Sequence, residues 1–166
     1  MENAGASPMG TRGNMWVKDS QRADIKGKCR IKGREGSIEV LSMGHRITIP
    51  ADVKTGKLTG NRTHDPMTII KELDQSTPFF NKACCSGECL KEVKICLYQI
   101  NESGKESAYF QYSLTNARVI AVQPLIGGTE QNHSPDKEKI ALIYEKINWE
   151  HLDGNYSYSD TWVERA

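Results

Sequence analysis

The sequence contains no apolar run approaching the roughly 20 residues that cross a bilayer, and its N-terminus lacks the apolar stretch of a secretory signal. Those absences predict a chain made and folded in the cytoplasm, without membrane insertion. An excess of one charge is missing as well. The 22 basic and 21 acidic side chains leave a net charge of +1, so bulk charge gives no reason to expect nucleic acid as a partner. Catalytic signatures are also lacking. There is no G-x-S-x-G elbow and no H-E-x-x-H, and Gly56-Lys57-Leu58 lacks the Ser or Thr and the upstream glycine of a phosphate-binding loop. His45, His64, His133 and His151 are spread without ligand spacing. The expectation is no enzyme, no cofactor and no resident metal.

Cysteines are few, odd in number and unevenly placed, at Cys29, Cys84, Cys85, Cys89 and Cys96, which does not suit a secreted disulfide framework. They are expected to be reduced thiols in the cell. The cluster Cys84, Cys85 and Cys89 leaves two readings open. A structural zinc site needs four ligands in paired spacing, and only His64 lies nearby in sequence, whereas free, redox-active thiols need nothing more.

At 166 residues the chain suits one domain. Residues 1–14, small, polar and glycine-containing, read as a disordered leader or a cloning remnant, and residues 15–166 as the folded domain. Met15, Trp16 and Val17 open it with a short strand. Ile38, Val40, Ile47 and Ile49 predict a strand over 37–49, bent at Gly44 and ended by Pro50. Residues 51–65 then form a long polar loop, of the kind that usually contacts something.

Strand character returns over 67–73. Ser76 and Thr77 before Pro78 predict a capped helix over about 78–86, stopped by Gly87, with Phe79, Phe80 and Ala83 as its apolar stripe. Val93, Ile95 and Leu97 alternate with polar residues and lead through a turn at 101–105 into SAYFQYSL, a hairpin; a further strand covers 116–125 and a polar loop 127–136. The last strand is read as continuous over 137–151, with Ile143, Ile147 and Trp149 on one face and Tyr144, Lys146 and Asn148 on the other. An aromatic tail follows, with Tyr156, Tyr158 and Trp162. The class is mainly β, with one short helix.

Lys26, Lys28, Arg30, Lys32 and Arg34 recur at every second position and would share one face if extended. Such a stripe would be a solvated strand face, a polyanion site or a contact with acidic groups of another subunit. Gly27 and Gly33 weaken the case for a regular strand, and no interleaved aromatics support nucleic acid.

Taken in order, REGSIEV, IPAD, GKLTGNRTHDP, STPFFNKA, YEKINWEHLDGN and SDTW resemble the haemolysin-coregulated protein family, Hcp, the tube-forming component of bacterial type VI secretion. The resemblance spans most of the chain. It implies a small β-barrel with a flanking helix, assembling as a homo-hexameric ring, with rings stacked into a hollow tube inside a contractile sheath beneath a VgrG-type spike. It implies effector proteins carried in the lumen, and assembly in the cytoplasm followed by secretion. The loop 51–65 resembles the family's extended loop toward the adjacent subunit. That likeness nominates Lys54, Lys57 and Arg62, answered by Asp52 and Asp65, as interface residues, with Trp162 packing across the ring contact. The chain departs from the family pattern in its CCSGEC cluster, and with little following SDTW it is expected to lack the toxin extension of some members. Two alternatives stay open: a free ring acting as an effector chaperone, and a small barrel binding a ligand or metal through the cysteines.

Overall fold

The computed structural model describes residues 13–127 and 135–163. Most of the predicted leader and most of the 127–136 loop, including His133, lie outside the described residues. The first strand, β1 (Gly13–Lys18), begins inside the predicted leader, because Asn14 is fully buried and bonded to Cys29 Sγ at 3.3 Å, Ser37 Oγ at 2.8 Å and Arg34 at 3.2 Å. A polar residue reads as leader until its buried partners, all distant in sequence, are in place.

After the short β2 (Asp24–Ile25), the basic stretch folds back on itself instead of extending. Gly27 N–H donates to Gly36 O at 2.9 Å and Cys29 N–H to Ser37 O at 3.1 Å, and a Cβ on Gly27 would sit 2.4 Å from Ser37 O. Glycine is therefore required for this close approach. The five charges do not form a stripe: Lys28 pairs with Glu72, while Arg34 is buried, 3.5 Å over the Tyr98 ring and 3.0 Å from Glu106.

The predicted 37–49 strand is three pieces, β3 (Ile38–Val40), β4 (Ser42–Gly44) and β5 (Ile47–Thr48). Between β3 and β4 the chain changes partners. β3 pairs with β1, β4 pairs with β9 (Met67–Glu72), and Leu41 at the bend donates to Ile70 O at 2.9 Å. The loop after Pro50 is not structureless: β6 (Ala51–Asp52) and β7 (Lys57–Leu58) form a small hairpin, and β8 (Thr63–His64) returns to pair with β5.

Helix α1 (Thr77–Ser86) buries Phe80 and Ala83 and ends at Gly87, whose φ of 66° is the left-handed conformation glycine adopts freely. Its capping differs from expectation. Ser76 is helical and makes no side-chain cap; the Asp74 carboxylate accepts from Ser76 N–H at 2.9 Å and from the Ser76 hydroxyl.

β10 (Leu90–Ile100) pairs with β11 (Glu106–Leu125), which joins into one strand the second half of the predicted hairpin and the 116–125 segment. β11 pairs over 110–115 with β13 (Lys146–His151) and over 118–125 with β12 (Lys137–Ile143), while β14 (Tyr156–Thr161) adds beyond β13. The predicted continuous last strand is thus broken. Ile140, Leu142 and Tyr144 are buried before the break and Ile147 after it, so the inward parity changes from even to odd. The matching change in β11 runs from Leu114 to Ala117 across Asn116, at φ 51°. Glu145 N–H spans the corner to Thr115 O at 3.1 Å. Both strands carry an irregularity at the same place, which lets the sheet turn sharply.

The pairing order β3–β1–β10–β11–β12–β9–β4 closes on itself at the Leu41 bend, giving a β-barrel with α1 against β11. The interior is filled by residues such as Met15, Ile38, Met67, Ile95, Leu114 and Ile140, all fully buried.

Candidate assembly interface

Residues 49–62 leave the barrel as an arm. Its base is the β5–β8 pair, with Ile47 opposite His64 and Thr48 opposite Thr63, and its tip is the β6–β7 hairpin. The tip is held locally: Asp52 Oδ1 accepts from Lys54 N–H at 2.9 Å, and this bond, with help from Thr55, keeps the Asp52 carboxyl below its ordinary range. The apolar side chains of the arm face solvent, Val53 at 94% exposure and Leu58 at 63%, and Lys54 and Lys57 are exposed beside them. The turn thus fixes its own backbone while exposing a valine and a leucine.

The other nominated residues sit differently. Arg62 lies at the arm's return and forms a two-pronged pair within the chain, Nε to Asp160 Oδ2 at 2.5 Å and Nη2 to Oδ1 at 2.8 Å. Asp65 stands 3.9 Å from Arg46. Trp162 is half-buried, its ring edge-on to Tyr144 at 4.9 Å and tilted against His64 at 5.9 Å. Arg62 and Trp162 therefore brace the arm's base on their own subunit.

That bracing belongs to a polar cluster the sequence did not disclose. His45 Nε2 lies 2.7 Å and His64 Nδ1 2.6 Å from the same Tyr144 hydroxyl, and His64 Nε2 lies 2.8 Å from Asp160 Oδ2. Trp149 and Trp162 pack on the imidazoles. Burial, then the carboxylates Asp160 and Asp65, push the Tyr144 phenol well up, so its hydroxyl keeps its proton. Arg62 holds the Asp160 carboxyl below its ordinary range, aided by His64 and opposed by burial. Burial first, then a neighbouring His64 charge, lowers His45, with Asp65 pulling the other way. The histidines look scattered in sequence because 80 residues separate His64 from Tyr144 and 99 separate His45 from it. Only the strand topology brings them together.

The thiols are dispersed by their environments. Cys84 is half-buried against the core, Cys85 is exposed, and Cys89 is half-buried with its Sγ 3.7 Å from Asn116 Oδ1. Cys29 and Cys96 are buried, and all five are free. Among the described residues, no three His, Cys, Asp or Glu side chains are grouped to hold a metal ion.

Comparisons with known proteins agree on one relationship. Residues 15–151 match the family model described as "Type VI secretion system effector, Hcp". The "Major exported protein" of Pseudomonas aeruginosa is 28% identical over 156 residues, covering 92% of this chain and 91% of that protein. The structure of Hcp1 from Escherichia coli EAEC 042 superposes with a TM-score of 0.83 at 41% identity, covering 92% of this chain and 99% of that one. Secreted protein Hcp3 from Pseudomonas aeruginosa, at 24% identity and a TM-score of 0.77, shares the fold over 92% of this chain and 98% of its own.

Proposed function

The chain belongs to the Hcp family of tube-forming, exported type VI secretion proteins, and from that membership we propose that six copies close into a ring through the 49–62 arm. The observation that carries this reading is the arm's geometry: a braced base and a self-fixed tip that presents Val53 and Leu58 to solvent. A ring requires a heterologous contact in which one patch meets a different patch on the next copy, and a projecting arm supplies one half of such a contact. Burying a valine or leucine side chain is worth about 1.5–3 kcal/mol, whereas an exposed ion pair adds about 0–1 kcal/mol. Val53 and Leu58 then supply the affinity, while Lys54, Lys57, Asp52 and Asp65 set register.

On this reading the protein is a structural subunit and not an enzyme. It assembles in the cytoplasm, stacks as rings into a tube beneath a VgrG-type spike, carries effectors in the lumen and leaves the cell when the sheath contracts. The test is the absolute mass of the purified protein by light scattering, with negative-stain images of the same peak. A six-subunit mass and ring-shaped particles are expected. A stable monomer at high concentration would overturn the proposal.

A further inference from the structure

The cluster at the arm's base counts protons. Tyr144 has one hydroxyl proton, and two imidazole nitrogens contact its oxygen, at 2.7 Å from His45 and 2.6 Å from His64. With both imidazoles neutral, every contact at the Tyr144 hydroxyl and at Asp160 is satisfied. His64 donates from Nε2 to the Asp160 carboxylate and accepts the Tyr144 hydroxyl at Nδ1, and His45 donates from Nε2 to the tyrosine oxygen. One added proton is also accommodated. If it goes to His64, Nδ1 becomes a donor, the Tyr144 hydroxyl turns to His45, and His45 shifts to the tautomer that accepts at Nε2. If it goes to His45, the existing bonds persist. A second added proton has no such solution: both imidazoliums donate to one oxygen, and the hydroxyl proton between them has no acceptor among the contacting nitrogens.

Charge points the same way. The imidazole centroids are 6.3 Å apart, and the one carboxylate contacting His64, Asp160, is shared with Arg62. Among the described residues, Asp65 also faces the cluster, with Arg46 3.9 Å from it. Arg46 offsets Asp65, so a doubly protonated cluster carries two new positive charges beside Arg62, with little to compensate them.

The position of the cluster gives this count a consequence. His45 lies between β4 and β5, His64 is in β8, Tyr144 follows β12 and Asp160 is in β14. Among the described residues, the ladder at the arm's base is the short β5–β8 pair, extended by Asp65 N–H to Arg46 O at 2.9 Å, and the cluster ties both ends of the arm to the barrel.

We propose that the His45–Tyr144–His64–Asp160 cluster is a pH-sensitive latch that holds the 49–62 arm while at most one imidazole is protonated and releases it when both are. Its effect on the ring rests on the proposal that this arm makes the subunit contact. Histidine is the side chain suited to such a device near neutral pH.

The test is amide hydrogen exchange of the full chain from about pH 7.5 to about pH 5, corrected for intrinsic exchange, with ring mass measured on the same samples. β10–β11 amides serve as the control for global folding. In the wild type, arm amides should lose protection by about tenfold per pH unit in the acid limb while β10–β11 stays protected. His45→Gln keeps a donor for Tyr144 but does not titrate, and it should flatten that limb. Tyr144→Phe removes the shared oxygen and should leave the arm open at every pH. An arm that stays protected in acid, or the same acid limb in wild type and His45→Gln, overturns the latch. If the arm opens as described while the ring mass stays unchanged, the latch stands and the arm is not the subunit contact.

Discussion

Two buried polar clusters pin peripheral elements to the same barrel, and they are built from opposite chemistry. At the start of α1, Lys71 is fully buried and reaches Glu138 at 2.5 Å and Asp74 at 3.1 Å, while Thr77 donates to Glu138 at 3.0 Å. At the base of the arm, the equivalent work falls to two imidazoles, a phenol and a carboxylate. The helix is clamped by opposite charges and involves no imidazole, whereas the arm is anchored through imidazoles, the side chains suited to respond near neutral pH. The arm's anchorage therefore depends on proton activity. A fixed lid and an adjustable arm need different side chains although both need burial.

The contrast is tested most severely at the ionic clamp. Glu138→Ala strips Lys71 of its closest partner in a site with no access to water, and breaking a buried pair in this way costs about 3–5 kcal/mol. Asp74 remains, so the loss should fall toward the lower end. Replacing both partners with apolar residues, Lys71→Met with Glu138→Leu, should recover part of the stability, because the closest ion pair is removed whole and Asp74, which loses its cation, keeps its bonds from Ser76. Urea denaturation of dilute, dissociated protein reads both values. If the double variant is no better than Glu138→Ala, the clamp is held by its shape and not by charge pairing.

The histidine cluster should respond less strongly and with a pH signature. Tyr144→Phe leaves two imidazole nitrogens without their shared partner and should cost about 1–3 kcal/mol at neutral pH. His45 is held below its ordinary value of 6.5, so the folded state prefers it neutral. Its contribution is complete above 6.5 and declines as pH falls through that value toward the folded one. Asp160 is held below 3.8, so its contribution persists through the same window and is lost only below 3.8. Where Tyr144→Phe opens the arm and exposes His45 to water, the variant loses this dependence, so its stability gap from wild type should narrow between neutral pH and about pH 5, whereas the Glu138→Ala gap, which involves no imidazole, should not. Parallel pH profiles for the two variants would erase the distinction. Trp162→Ala belongs with this cluster, since Trp162 packs on Tyr144 and His64; it should cost the monomer about 2 kcal/mol, which makes it a poor probe of ring contacts.

Sequence pattern revealed elements and faces where one period ran uninterrupted. The alternation in β9 and β10 and the Phe80, Ala83 and Gly87 pattern of α1 were all legible. It failed where the period changes. Ile143, Ile147 and Trp149 looked like one face because they alternate on paper, but the break at Tyr144–Glu145 reverses the parity and turns Tyr144 inward. The same break places the Tyr144 hydroxyl between His45 and His64, so the error about the strand and the failure to see the cluster have one cause. The resemblance nominates Arg62 and Trp162 for the interface, and within the subunit Arg62 pairs with Asp160 while Trp162 packs on Tyr144, contacts that no local pattern signals. Exposed residues such as Lys54 and Lys57 have few constraints from their own fold, and there the resemblance is the main guide.

The smallest effect on monomer stability is expected at the arm's tip, where Val53 is 94% exposed. Val53→Asp removes no contact to the barrel, and a substitution at so open a position should change the stability of the dissociated chain by no more than about 0.5 kcal/mol. Its effect on assembly should be large, because a carboxylate carried into an apolar contact must be desolvated without a partner. Light scattering should show a folded monomer where the wild type forms rings, and denaturation of that monomer should overlay the wild-type curve. A ring that survives Val53→Asp would place the subunit contact elsewhere on the barrel. A monomer that loses stability would mean that the arm folds back onto its own subunit in solution, and the exposed tip would then resemble the helix: a lid held in place, with no role in reaching a neighbour.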